Sequence, residues 1–303
     1  MRVLITGAGG CLGRALVPAL LADPRVTEII AHDLRPPALK HPRARTVQGD
    51  IRDPGLRALL PTVDAVVHMA FVVMESALGR ERGNRTLAHD INLGGIENLL
   101  AEWPPSLRLI HLSSASVYGT STQPIDEGAP LEPLAGFAYA EDKAEVEARL
   151  IAAGRQGLAA LRLRPHIILG PRAQPFLRAL LRLPFYPRLP EPAPLLQVVH
   201  ESDVVAAIQG ALFADATGAL NLASEDALSF EAMQRLRHAR VLAIPPRAAR
   251  AAARVAFRWF GVGPDPAWTS GLDRSLVLDC RRARTLLRWQ PRYPRIRDVL
   301  AAL

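Results

Sequence analysis

Short runs of β-branched and aliphatic residues alternate with longer stretches of helical periodicity through the first two-thirds of the chain. That order predicts βαβ units and a parallel sheet. Val3–Thr6, Glu28–Asp33, Thr46–Gly49, Ala65–Met69, Arg108–Ser113 and Ala160–Arg164 read as successive strands. Leu12–Ala22, Pro54–Leu60, Leu87–Trp103 and Tyr139–Ala152 read as the helices between them. After Pro165 the pattern turns irregular. Prolines crowd residues 171–194, where helices and interior strands are disfavoured, and a substrate cap is expected there. A helix from near Ser202, a short strand at Ala219–Ala223 and a second variable region at 241–272 follow, before small C-terminal elements.

With 303 residues and 49% hydrophobic content, the chain can bury a large core as one domain with a smaller cap, or as two domains. The expected division is a nucleotide-binding domain at 1–165, rejoined by parts of 195–225, with most of 166–303 forming the cap. Two cysteines, Cys11 and Cys280, are too few for a disulfide framework or a cysteine-rich metal site. Met1–Thr6 leads straight into a glycine turn and no long apolar run follows, so a cytoplasmic protein is expected.

Residues 1–150 carry 15 Lys/Arg against 18 Asp/Glu, and residues 151–303 carry 22 against 11. The basic excess therefore lies with the part expected to touch substrate, where an anionic ligand, an acidic membrane surface or plain solvent would meet it. Nucleic acid is not expected. The basic residues are almost all arginine, and only Lys40 and Lys143 are lysines.

Thr6-Gly7-Ala8-Gly9-Gly10-Cys11-Leu12-Gly13 follows a predicted strand and opens a predicted helix. Glycines at 7, 10 and 13 permit a tight turn, close approach of a pyrophosphate to the backbone and helix-to-strand packing, while the helix N-terminus offers N–H groups and partial positive charge. Gly9, Cys11 and Leu12 complete the expected phosphate-binding turn, with Cys11 read as small and buried. Asp33, ending the second strand, is placed to hold ribose hydroxyls and favours NAD, although Arg14 and Arg35 leave NADP open. Asp50 and Ile51 are candidates for the adenine end.

Tyr139-Ala-Glu-Asp-Lys143 puts a phenol and an ammonium on one helix face, and Ser114 lies at the end of the preceding strand. Oxidising an alcohol needs a base for its proton, and a free tyrosine with a pKa of roughly 10 is poor at neutrality. A cation about 4 Å away at an effective dielectric of about 20 contributes roughly 4 kcal/mol, or about three pKa units. Ser114 would hold the reacting oxygen beside the phenol.

In these motifs the chain resembles the extended short-chain dehydrogenase/reductase family, also called the NAD-dependent epimerase/dehydratase family. The resemblance implies an α/β fold: a Rossmann-type doubly wound parallel sheet with a small C-terminal substrate-binding cap. It implies Ser114, Tyr139 and Lys143 as catalytic residues. Met69, Ala70 and Asn92, with Tyr139 and Lys143, are implied cofactor contacts; Tyr118 and His166 are candidate substrate contacts; and a homodimer through the long helices is expected. Tyr118 also reads as packing, while His200 and Asp203 read as caps of the helix that follows. No metal is implied.

The residues after Ser114 are Ala115 and Ser116, which lack the acidic pair of the similar sugar dehydratases. Residues 191–200 carry neither the glycine nor the arginine that the family's nucleotide-sugar enzymes use there. A secondary alcohol or ketone without a nucleotide, sterol-like, otherwise lipophilic or small, is therefore the expected substrate. The alternatives are a UDP-sugar epimerase and a non-catalytic NAD-binding assembly protein. Pro184-Phe-Tyr-Pro187 would supply an aromatic wall. Arg247, Arg250, Arg254 and Arg258 recur at helical spacing, so 246–260 reads as a basic amphipathic helix for a membrane surface or the substrate mouth.

Overall fold

The computed structural model describes residues 1–73, 85–182, 185–187, 192–238, 240, 242–245, 248, 251 and 274–303. Strands β1 (Arg2–Thr6), β2 (Glu28–Asp33), β3 (Ala44–Gln48), β4 (Ala65–His68), β5 (Arg108–Leu112), β6 (Ala160–Pro165) and β10 (Gly218–Leu222) form one seven-stranded sheet. Its order is β10-β6-β5-β4-β1-β2-β3 and every pairing is parallel. This is the Rossmann-type doubly wound arrangement. The order reverses at β1, so β4 and β2 flank it and their C-terminal ends open one crevice.

Alternate residues of the strands face opposite layers, and each face is apolar for that reason. On one side α1 (Gly13–Ala22) and a later helix, α5 (Glu201–Phe213), cover Val3, Ile5, Ile29, Val67 and Ile110. On the other side α2 (Arg85–Leu100) and α3 (Ala138–Gly154) cover Leu4, Ile30, Val66 and Leu109. All nine of these strand residues are at most 1% exposed.

Two expected features come out differently. The segment 54–60 forms a 3₁₀ helix, Pro54–Thr62, started by the Asp53 carboxylate accepting the Gly55 N–H. The proline-rich stretch also holds a helix, α4 (Pro175–Arg182), because a proline at the first position loses no helical hydrogen bond. β7 (Ile167–Leu169) pairs with β9 (Val198–His200), and β8 (Phe185–Pro187) pairs with β11 (Leu242–Ile244). The side chains of 184–187 and nearly all of 246–260 lie outside the described residues. So does most of 241–272.

Leu181, Leu196, Val198, Phe230, Met233, Ile296, Val299 and Leu300 form a separate apolar cluster. It joins α4 to α6 (Phe230–Arg237) and to α8 (Ile296–Ala301), which follows α7 (Arg281–Leu287). His200 caps α5 as expected, accepting the Ser202 N–H. Asp203 does not cap it. Its carboxylate accepts the backbone N–H groups of Arg292 and Tyr293 and ties the C-terminal turn to the helix. No helix among the described residues is long and apolar enough to cross a membrane.

Candidate active site

The crevice begins with the turn from β1 to α1. Gly7 has φ +76°, and a Cβ there would stand 2.5 Å from the backbone nitrogen of Ala70. At Gly9 a Cβ would come within 2.2 Å of the Arg35 carbonyl oxygen. The bare backbone of this turn thus allows the exits of β4 and β2 to close around it. No side chain caps α1, no acidic residue lies in its first turn, and the helix's positive end faces the turn. Asp33 accepts the N–H groups of Gly9 at 2.9 Å and Arg35 at 2.8 Å, and a carboxylate so engaged keeps lone pairs for further donors. The arrangement fits a dinucleotide, with Gly7, Gly9, Gly10, Cys11, Leu12, Gly13 and Asp33 as the residues to hold it.

Cys11 is exposed, which corrects the expectation of burial: the turn projects it away from the sheet. Asp50 is engaged by the guanidinium of Arg52, whose hydrogen bonds hold its pKa below the usual carboxylate value, while Ile51 is buried against Gly95. Replacing Gly7 by alanine is expected to displace Ala70, to cost about 2 kcal/mol of stability and to weaken NAD binding at least about tenfold. Calorimetric NAD titration together with a melting curve checks this.

β4 leaves the sheet through Met69, whose N–H donates to the Thr6 carbonyl at 3.0 Å, and Ala70, whose N–H reaches Thr6 Oγ1 at 3.5 Å. Asn92 sits 2% exposed on α2 and clamps Val72, two residues on: its Oδ1 accepts the Val72 N–H at 2.7 Å and its Nδ2 donates to the Val72 carbonyl at 3.2 Å. The same Nδ2 reaches Asp142 at 2.9 Å. Asn92 therefore fixes the loop beside the crevice.

Ser114 follows β5 and caps a 3₁₀ turn, Ala115–Tyr118, accepting from Ser116 N–H at 3.2 Å and Ser116 Oγ at 2.9 Å. Tyr139, in the first turn of α3, is hydrogen-bonded to Ser114. Burial pushes its pKa above the usual phenol value, and the serine pulls it back only in part. One turn on, Lys143 is 3% exposed and donates from Nζ to the Leu112 carbonyl at 2.6 Å. Burial lowers its pKa to about 7 against the pull of Glu147 and Asp142.

The ammonium lies near two aromatic rings. Nζ lies 6.0 Å from the Tyr139 ring centroid and 3.6 Å from that of Phe71. Under Lys143 the stacked rings of His68 and His111 are kept neutral by burial, with His68 pushed down to about 3. They add no positive charge beside the lysine.

Glu147 lies one further turn along α3 and is fully buried. It accepts from Ser113 Oγ, from Arg162 Nε at 3.0 Å and from Arg164 Nε at 2.8 Å. Burial raises its carboxyl pKa, but the Arg164 and Ser113 hydrogen bonds and the two arginine charges prevail and bring it down. Arg164 continues to the Tyr118 hydroxyl, which donates to Asn221 Oδ1 at 2.7 Å. Tyr118 is 4% exposed and burial lifts its pKa to about 12.

His166 uses both ring nitrogens, accepting the Ile167 N–H at 2.9 Å and donating to the Leu276 carbonyl at 3.1 Å. The structure thus brings Ser114, Tyr139 and Lys143 together and places Tyr118 and His166 in internal hydrogen-bond networks. Phe71 and Glu147 are residues that sequence reasoning missed. Glu147's four-residue spacing from Lys143 was the available signal.

His89 donates to Asp142 at 2.8 Å, and that hydrogen bond holds the histidine's pKa above its usual value. A raised histidine stabilises the fold fully below its ordinary pKa of roughly 6.5, and the gain fades as pH rises through the folded value. His89 is 42% exposed, so solvent reduces the effect to a few tenths of a kcal/mol. His89→Gln is expected to lower the melting temperature slightly at pH 6 and not at pH 9, as melting curves across that range check.

A sequence model of the NAD dependent epimerase/dehydratase family matches residues 3–183. An uncharacterized protein of Mycobacterium tuberculosis is 28% identical over 80% of this chain and 67% of its own length. The 2-alkyl-3-oxoalkanoate reductase of Stenotrophomonas maltophilia is 32% identical over 57% of this chain and 53% of its own. Among solved structures, the dTDP-glucose 4,6-dehydratase DesIV of Streptomyces venezuelae, with NAD and TYD bound, superposes with a TM-score of 0.71 at 26% identity, over 96% of this chain and 92% of that one.

Proposed function

Because the chain belongs to the NAD-dependent epimerase/dehydratase family, we propose that it is an NAD-dependent oxidoreductase moving a hydride at a secondary alcohol or ketone carbon. The observation that carries this reading is the Ser114–Tyr139 hydrogen bond at the end of β5, with Lys143 buried one turn away. When bound, NAD supplies the hydride-accepting carbon and a positive charge near the phenol. Ser114 orients the substrate oxygen, Tyr139 exchanges its proton, and Lys143 favours the ionised phenol. Gly7–Gly13 and Asp33 bind the cofactor; Met69 and Ala70 wall its reactive end, and Asn92 holds that wall in place.

The proposed substrate is lipophilic and lacks a nucleotide. Residues 191–200 contain no lysine or arginine to meet a diphosphate. The one amide there, Gln197, is already engaged by Ser224 and Leu278. Likeness to a reductase named for 2-alkyl-3-oxoalkanoates supports an aliphatic ketone or alcohol. The second reading is a nucleotide-sugar epimerase; likeness to DesIV, a dTDP-glucose 4,6-dehydratase, supports its nucleotide-sugar class of substrate.

Incubating the protein and NAD with a panel of hydroxysteroids, 2-alkyl-3-hydroxyalkanoates and UDP-sugars separates them. Net reduced nicotinamide with a lipophilic alcohol supports the proposal. An isomerised sugar without net reduced nicotinamide favours the second reading.

A further inference from the structure

Phe71 stands in the middle of a short backbone segment fastened at both ends. Ala70 is held by Thr6 and lies against the bare backbone of Gly7, while Val72 is gripped through both N–H and C=O by Asn92. Between these anchors the Phe71 ring meets both proton-handling groups. The Lys143 ammonium sits 3.6 Å from its centroid, and the Tyr139 ring meets it edge-on at 5.5 Å.

Among the described residues, the other charged groups around Lys143 have partners of their own. Asp142 is taken by His89 and Asn92, Glu147 by Ser113, Arg162 and Arg164, and His68 and His111 are neutral. The described contacts of the ammonium are the Leu112 carbonyl and aromatic faces. A desolvated ammonium gains most from a π face, because no water competes for it.

We propose that Phe71 is a positioning residue of the reaction centre, its ring face carrying the Lys143 ammonium and fixing where that charge stands relative to Tyr139. The inference rests on Tyr139 and Lys143 being the proton-handling pair. Leucine at 71 keeps apolar volume but has no π face, so the charged lysine loses support and its proton affinity falls. Tryptophan restores a face of the same sign.

The chain's two lysines make this readable without turnover. Lysine labelled with carbon-13 at Cε gives one signal from exposed Lys40 and one from buried Lys143. In the unsubstituted protein the Lys143 methylene protons are expected upfield of those of Lys40, displaced by the Phe71 ring current. Phe71→Leu is expected to remove that displacement and to lower the Lys143 titration midpoint by about one unit, and Phe71→Trp to reverse both changes. The pH profile of turnover should move in the same direction.

A Phe71→Leu protein that keeps both the displacement and the midpoint overturns the proposal. So does a Phe71→Trp protein that folds but restores neither. If Lys143 responds to Phe71 while no substrate accepts or yields a hydride, the oxidoreductase reading fails and the contact stands. Turnover with no response overturns the contact alone.

Discussion

Replacing Tyr139 with phenylalanine is expected to lower turnover on the order of 10³-fold, the range of a lost general acid–base group. NAD affinity is expected to stay within about twofold. The phenol ring packs edge-on to Phe71 at 5.5 Å and lies 5.8 Å from Phe137, and phenylalanine keeps both contacts. Only the hydroxyl bound to Ser114 is removed, so the melting temperature should move by a few degrees at most. A variant that binds NAD normally and turns over normally would show that the proton passes elsewhere. Steady-state kinetics paired with NAD titration separates these outcomes.

Glu147→Ala is expected to cost about 3 to 5 kcal/mol, because it strips the partner from the buried Arg164 guanidinium and from largely buried Arg162. Arg164 is 2% exposed, and its guanidinium is bound to Glu147 through two nitrogens. Arg162 shares the same carboxylate. The carboxylate also fixes the turn of α3 that follows Lys143, so what folds of the variant should have lost activity as well. Denaturant unfolding measures the cost.

The acid dependence follows from the same group. Its pKa is held below the usual glutamate value, so its contribution is present above that value and fades as pH falls through the lower, folded one. Glu147→Gln keeps the shape and one acceptor, and is expected to lose less than Glu147→Ala.

Much of this was legible in the sequence because local rules and the tertiary fold agree. The six strands from Val3 to Arg164 fall within two residues of their expected ends, since most are apolar runs closed by turn residues. The glycine turn, Asp33, Ser114 and the Tyr139–Lys143 pair are set by spacing along one strand end or one helix face, which sequence carries directly.

What escaped depends on contacts between distant segments. Phe71 follows an apolar strand with no local motif to mark it, and its ring meets Lys143 from a segment that Asn92, 20 residues beyond Val72, holds in place. Tyr118 and His166 sit where ligand contacts were expected. Their polar atoms are instead drawn inward by Arg164, Asn221 and Leu276, residues 46 to 110 positions away. Helical spacing puts Tyr139 and Lys143 on one face, but the ammonium's own contacts, the strand-end carbonyl of Leu112 and the Phe71 ring, come from segments that spacing along the helix does not reveal.

Net reduced nicotinamide identifies a substrate; the fate of the hydride itself tests the chemistry. The decisive measurement mixes the protein with NADH deuterated at the transferable position and a 2-alkyl-3-oxoalkanoate or ketosteroid, then reads the alcohol product by mass spectrometry. The account predicts one deuterium at the carbinol carbon, lost to near background in Tyr139→Phe. Bound NADH that delivers no deuterium to any ketone, sugar or steroid would contradict it.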